Sequence, residues 1–545
     1  MGKTKVKSNK MKSKSDVWYT VLAIVIGVCL VFGLAVAIMQ PTGLVDYISM
    51  HTQTALKSDH YSINNAQFTY QTYATYNNYY QTYSSYASYL GLDRTKPLSQ
   101  QKYSDTMSWL DYCKDEAKYS LIQVLALCEA AKANGYEMSA DDKKSIDDNL
   151  KALSDFAKQN NYSLSNAIAA MYGSKGIKKG DIKGVLEMQT IASGYANQIR
   201  DSYTYTNEDY DKYYEENKYD YLKADYYSYT VKADYESGAT DEEKEAAISA
   251  AKAKADELFA KIEGGEDFVK VIYEYRKELA EAEKKAAEEA LEEAKKNAST
   301  SAADTGDTTS ASEEKSAEEK ALDDATKALE ELTEESVKKS VLTEGHQTTA
   351  DNKSEADQWI FADTPAHEGD TKLIAADESA TIYKIVKSVY RDEYNTASIR
   401  ELGLSLTNFT NADAMKEYAE MIQDEFNKGE KTGEAFDALA EKFTTDKITV
   451  SASGLEKEAM RSTGNSTYEE LNDWMFSSER KPGDVKAFVF EDQGMSIVFY
   501  EEQGRAAWLA AVDSAKRSAD LNEAVKGFEE TYPATVNDNA IAKVE

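Results

Sequence analysis

Four histidines and three cysteines are the side chains of this 545-residue chain best suited to metal, nucleophilic or acid–base chemistry. Their spacing supports none of these. His51, His60, His346 and His367 fall in no HExxH pattern, and the chain has no paired Cys motif, EF-hand loop, Walker or dinucleotide glycine motif, and no nucleophile elbow. His346 and His367 lie in turn-like or linker sequence, where surface histidines are expected. Cys113 and Cys128 fall in one predicted helix, where fifteen residues separate them by about 22 Å, far beyond disulfide reach. Cys29 sits inside an apolar run and reads as a membrane-buried thiol. The sequence calls for no cofactor and no metal, and its sparse cysteines suit a bacterial envelope that does not rely on disulfides.

Binding is the better-supported chemistry. Tyrosine occurs 38 times, and Tyr70, Tyr73, Tyr76, Tyr80 and Tyr83 recur at steps of three, three, four and three, the stripe of one helix face. Such a stripe is either an internal seam or a client-binding surface, because tyrosine offers apolar area together with one adaptable hydrogen bond. The formal charge of −33 would repel nucleic acid and anionic lipid headgroups, which makes both poor partners and favours basic or unfolded clients.

The elements that must position these residues follow from the chain's length and pattern, which imply three or more domains. Residues 1–16 hold six lysines and one aspartate, and Val17–Met39 then run 23 residues without a charge, about 34 Å of helix. The expectation is a cytoplasmic basic tail (1–16) and a transmembrane anchor (17–39), a single-pass cell-membrane protein with its bulk extracytoplasmic. A cleaved signal peptide, with Ala35-Val-Ala37 as its small-residue site, is the rival. Residues 45–215 read as helical: Thr106–Asn134 is one long helix ended by Gly135, and Ser139 caps the next.

Beyond residue 215 the pattern repeats. Trp474, Phe476, Gly483, Asp484 and Lys486 lead into the strand Ser496–Tyr500, and Trp359, Phe361, Gly369, Asp370 and Lys372 lead into a strand from Thr381 to Val386 at spacings that agree to within one residue. Upstream of each lies a β-rich run, an amphipathic helix with a glycine stop and a short Phe-x-x-apolar helix. The two modules are 221–392 and 394–505. Residues 276–340 interrupt the first with charged helix formers around a small, polar tip, predicting a helical hairpin or two helices with a disordered tip, dispensable for folding. Residues 506–545 form a C-terminal helix and tail.

The Phe436-x-x-Leu-Ala helix, the Gly454-Leu455 turn, the helix ending in Trp-x-Phe and the Lys-Pro-Gly-Asp turn resemble a parvulin-type peptidyl-prolyl isomerase domain. With the anchor and helical region ahead of it, the chain resembles the SurA/PrsA-type extracytoplasmic foldases. The resemblance implies an α+β multidomain fold: one transmembrane helix, an α-helical chaperone region, two parvulin-like α+β modules and a C-terminal segment that returns to the helical region. It implies unfolded or partly folded exported polypeptides as partners. Parvulins of this kind commonly carry a histidine in the first strand, another in the last and a Cys or Asp nearby. In the second module those slots hold Glu401, Ser496 and Asp446, and in the first they fall near Tyr227 and Thr381. The resemblance thus implies a holding function with degenerate isomerase modules, and leaves two alternatives, an active isomerase with an atypical site and an envelope scaffold for one partner.

Overall fold

The computed structural model describes residues 43–302, 316–349, 354–443, 450–452, 454–462, 468–490 and 494–544. The basic tail 1–16, the apolar run 17–39 with Cys29, and Asp446 lie outside the described residues. Among the described residues no helix is long and apolar enough to cross a membrane. The fold is mixed α and β, with three small antiparallel sheets, and the chain divides into two units, 1–210 with 513–545, and 211–512.

The first unit is built from helices α1 (Gly43–Thr52), α2 (Asn65–Thr82), α3 (Trp109–Ala133), α4 (Ala140–Gln159), α5 (Leu164–Tyr172) and α6 (Lys179–Ser202), with strands β1 (Thr54–Lys57) and β2 (Ser62–Asn64). Their ends are set by short polar side chains. Asn64 Oδ1 accepts from the Gln67 amide at 2.8 Å while Gln67 Oε1 accepts from the Asn64 amide at 2.9 Å, a reciprocal cap that starts α2. Ser139 Oγ caps α4 through the Asp142 amide at 3.0 Å, and Gly173, at φ 78°, stops α5. The long helix begins at Trp109 rather than Thr106, because Ser108 is its cap and the Tyr103 amide folds back to Met107 O. Phe68, Leu121, Leu125, Ile146, Leu153 and Ile168 form the centre of the core.

Two histidines brace this unit on buried acids. His51 Nε2 lies 2.9 Å from Asp181, and Glu129 gathers Ser58 Oγ, the His60 amide and His60 Nδ1 within 2.7 Å. Burial pushes the Glu129 carboxyl up, but those three hydrogen bonds outweigh it and hold it below its usual range. The chain end also returns here. Strand Thr535–Val536 pairs with β1, opposing Val536 to Leu56, Asn65 Nδ2 donates to Ala540 O at 2.7 Å, and Val525, Ile541 and Val544 join the core.

The second unit holds the sheets of both repeats. The first is ordered β4 (Leu342–Gln347), β3 (Lys223–Lys232), β6 (Ser379–Tyr390), β5 (Thr371–Ala375). The second, read the same way, is β8 (Val450–Ala452), β7 (Asn395–Ser405), β11 (Gly494–Ala506), β10 (Val485–Phe490), with β9 (Glu456–Ala459) also on β7. The sheets share one topology, and their turns share one hydrogen-bond pattern. Gly369 N–H donates to Ile385 O and Ile385 N–H to Asp370 O, both at 2.9 Å; Gly483 N–H donates to Tyr500 O at 3.0 Å and Tyr500 N–H to Asp484 O at 2.9 Å. Both glycines sit near φ +90°, a conformation that disfavours any side chain. The likeness reaches the side chains, since Lys372 pairs with Glu355 as Lys486 does with Glu470.

One face of each sheet is covered by a helix pair: α7 (Asp241–Glu263) and α8 (Phe268–Ala302) in the first repeat, α12 (Ala412–Lys428) and α13 (Gly433–Phe443) in the second. The charged arm grows out of this layer. Helix α8 continues without a break from the Phe268 end, about 52 Å in all, and α9 (Ala317–Glu331) packs back along it; the tip, 303–315, lies outside the described residues. The stretch 276–340 is not wholly an insertion. Helix α10 (Glu334–Val341) buries Val337 and Val341 in the core of the first repeat, and Arg276 donates to Ser340 Oγ at 3.0 Å. Replacing 280–331 by a short Gly/Ser linker should therefore leave the melting temperature within a few degrees. Val337→Ala should cost about 1 to 3 kcal/mol in denaturant unfolding, and removal of all of 276–340 should unfold the first repeat.

Candidate functional site

A concavity of the first unit is built from aromatic rings where α2 ends and α3 begins. Tyr79 on the last turn of α2 and Tyr83 at its C-cap stack at 6.2 Å, and further on Tyr86 and Tyr89 project, 66 % and 89 % exposed. Across from them Tyr103 stacks on Tyr112 at 4.0 Å, and Trp109 meets both edge-on. With Leu90, Gly91 and Lys102 these residues line a cleft of about 690 Å³. Its inner polar atoms are already engaged. The Tyr79 and Tyr112 hydroxyls share a hydrogen bond of 2.6 Å and Trp109 Nε1 donates to Leu90 O at 3.0 Å. That shared bond and burial push the Tyr112 phenol up, so it stays neutral.

The loop between the two walls is held by one buried amide. Gln101 Oε1 accepts from Tyr76 OH at 3.1 Å and from the Asp93 amide at 2.9 Å; its Nε2 donates to Lys96 O at 2.9 Å, and its own carbonyl accepts from the Trp109 amide at 2.8 Å. Under the loop lies a small core of Tyr76, Leu92, Leu98, Trp109, Leu110 and Cys113. Gly91 closes it: at φ +72°, a Cβ there would stand 2.8 Å from Lys102 O.

The tyrosine stripe divides along its length. Tyr70 is buried edge-on against Tyr172, Tyr73 packs on the same core, and Tyr76 is buried with its phenol pushed up to about 12 by burial. Tyr80 lies beneath the Arg94 guanidinium at 4.0 Å, and only Tyr83, at 43 %, is well exposed. The inner part of the stripe is an internal seam and its outer end opens on the cleft. Tyr79, Tyr86, Tyr89, Tyr103, Trp109 and Tyr112 were not marked by the stripe. The available signal was the run of tyrosines continuing past the end of α2 to Gly91.

In the second repeat the structure brings together two of the three positions that the resemblance singles out, Glu401 and Ser496. Ser496 Oγ donates to Glu401 Oε1 at 2.6 Å across β11 and β7, on the sheet face away from α12 and α13. That face also carries Ile399, Val498, Tyr500 and Phe488, packed under Met475 and Trp474. Aligning the repeats on their Gly-Asp turns matches Ser496 to Thr381 and Glu401 to Ser228, one residue from the expected Tyr227. Tyr227 instead turns toward the helices and stacks on Phe268 at 5.3 Å.

His346 departs from the turn-like setting expected of it. It lies in β4, half-buried, with Nε2 2.6 Å from Asp357 on helix α11 (Glu355–Ile360), whereas His367 is exposed in a turn as expected. Cys113 and Cys128 are buried thiols, each pushed up to about 12 by burial, and so unreactive near neutral pH. Among the described residues no cluster of three metal-ligating side chains occurs. The sequence matches no protein-family model and no curated protein.

Gln101→Ala should strand the Asp93 amide, the Lys96 carbonyl and the Tyr76 hydroxyl. At about 1 to 3 kcal/mol for a buried polar group left unpaired, the variant should lose about 2 to 4 kcal/mol in urea unfolding. Amide hydrogen exchange over residues 87–104 should accelerate while the centre of α3 stays protected.

Proposed function

We propose that this chain is a membrane-tethered extracytoplasmic foldase-type chaperone that holds unfolded or partly folded exported polypeptides. The 17–39 run anchors it, the helical unit does most of the holding, and the two parvulin-like modules serve as additional binding platforms. The observation that carries this reading is the tyrosine and tryptophan cleft between α2 and α3. It presents ring faces whose innermost polar atoms, on Tyr79, Tyr112 and Trp109, are satisfied internally, so it can take up apolar segments of many sequences without demanding a fixed set of hydrogen-bond partners. The net charge of −33 adds long-range attraction for basic chains and keeps the protein soluble.

The holding reading is favoured over isomerisation by the Ser496–Glu401 pair. A carboxylate bonded to a buried hydroxyl sets negative charge where family members have neutral imidazoles, and opposes the electron density that shifts onto the amide as it twists.

The full chain in detergent micelles should suppress aggregation of a chemically denatured client at near-stoichiometric ratios. Each exposed aromatic contact contributes about 0.5 to 1.5 kcal/mol beyond its area, so replacing Tyr86, Tyr89 and Tyr103 together by alanine should weaken client affinity at least about tenfold. Unchanged suppression by the triple variant would refute the cleft as the holding site. In a coupled assay on a short X-Pro peptide, the same protein should run more than about tenfold slower than an active parvulin, a barrier difference above about 1.4 kcal/mol. A rate within tenfold would return the modules to the enzymes.

A further inference from the structure

We infer that the face of the first unit formed by α1 and the segment 174–180 docks on the surface of an anionic phospholipid bilayer; this rests on the membrane tether proposed above. The first observation is where α1 begins. Three residues separate Gly43, its first, from Met39, the last of the uncharged run, so α1 starts at most about 14 Å from the end of the anchor. A helix on so short a leash stays at or just above the headgroup layer. Tyr47 and Ile48 on it are nevertheless 37 % and 53 % exposed, a tyrosine and an aliphatic side chain of the kinds that settle into a bilayer interface. They are presented by a docked helix: His51 Nε2 meets Asp181 at 2.9 Å, and Met50 packs on the core with Ser174 Oγ donating to its sulfur at 3.5 Å.

The second observation is charge. The segment 174–180, Ser-Lys-Gly-Ile-Lys-Lys-Gly, carries three lysines and no acid. Lys178 Nζ lies over the Tyr47 ring at 5.4 Å and donates to Lys175 O at 2.9 Å, and Lys179 Nζ reaches Ser154 Oγ at 3.4 Å. Among the described residues none of these three lysines is ion-paired, whereas Lys144, Lys151, Lys158 and Lys183 on α4 and α6 each have an aspartate. The acids of the face are Asp46 on α1 and Asp181, and Asp181 is 7 % exposed and taken up by His51. The formal charge of −33 is spread over the whole chain and screened beyond about 8 to 10 Å, so what the membrane meets here is set locally by the lysines. Unpaired ammonium groups beside exposed apolar side chains, on the element next to the anchor, fit phosphate headgroups lying over an acyl layer. The aromatic cleft stands clear of this face. Asn64, at the start of α2, donates to Asp181 at 3.4 Å, and the eighteen residues of α2 carry the chain about 27 Å from there to the cleft.

The test reconstitutes the full chain into vesicles of phosphatidylcholine, with or without phosphatidylglycerol, whose acyl chains are brominated near the headgroup. A fluorescent amino acid replaces Ile48 in one protein and Tyr89, beyond the far end of α2, in another. The expected result is quenching at position 48 and none at position 89 in vesicles that contain phosphatidylglycerol. Quenching at 48 should be at least about twofold weaker in phosphatidylcholine alone, at high salt, or in the Lys175→Glu, Lys178→Glu, Lys179→Glu protein. Because those side chains have no ion-pair partners to lose, the thermal melt of that variant should match the parent's. Quenching at 48 that ignores phosphatidylglycerol, salt and the lysine replacements would overturn the docking and leave the anchor alone holding α1 near the lipid. Absence of quenching at 48, in protein that resists carbonate extraction, would overturn the docking while the tether stands. Protein washed from the vesicles by carbonate would overturn the tether and the docking together.

Discussion

A single buried amide, Gln101, sets the shape of the surface on which this account rests. It is 3 % exposed, and its oxygen and nitrogen tie helix α2, through Tyr76, to both ends of the 93–96 turn, while its carbonyl receives the first amide of α3. The loop it holds buries few apolar side chains of its own, Ala87, Leu92 and Leu98. Most of the loop's order must come from satisfied polar groups in a low-dielectric setting, where a paired amide is strong and an unpaired one is costly. Gln101 thereby fixes the 93–96 turn and the start of α3 on either side of the cleft, while the turn that carries the exposed Tyr86 and Tyr89 is closed by its own backbone bonds, Leu90 N–H to Tyr86 O and Leu92 N–H to Ala87 O, and Tyr103 is held by its stacking on Tyr112.

The repeated modules separate what makes a fold from what makes a site. The Gly-Asp turn, the aromatic helix end and the lysine–glutamate pair beneath it recur in both copies with the same hydrogen bonds, because they define where strands meet helices. The polar groups on the open sheet face have diverged. The second copy pairs Ser496 with Glu401, the first sets Thr381 against Thr230 at 2.9 Å, and only the first adds His346 on Asp357. A shared scaffold therefore does not fix a shared chemistry.

Local signals carried most of the fold. Ser139 and Gly135 act on neighbouring backbone and need no tertiary context, so their helix ends could be read directly, and the matched spacings around Gly369 and Gly483 disclosed both sheets. The rest depended on distant partners. Strand β4, Leu-Thr-Glu-Gly-His-Gln, has no apolar alternation, and His346 is drawn into the sheet by pairing with Ala224 and by Asp357. Val337 hides in a charged run because a single short helix buries one residue in four. At the cleft, a 3.6-residue period identified the stripe on α2 but could not continue beyond the helix, where Tyr86 and Tyr89 are placed by backbone turn bonds and Tyr103 by its stacking on Tyr112. The return of the chain end to the helical region was implied by resemblance, but its pairing through Thr535–Val536 with β1 was not, since a two-residue strand has no pattern to detect.

The most direct test of the central claim, that the aromatic cleft holds the client, is site-specific photo-crosslinking of the full chain to a denatured polypeptide. A benzoylphenylalanine would replace either Tyr89, at the mouth of the cleft, or Val489, exposed on the second module at 45 %. Strong client adducts are expected from position 89, suppressed by excess unlabelled client, and few from position 489. Adducts concentrated at position 489, with position 89 silent, would contradict it and move client binding to the modules.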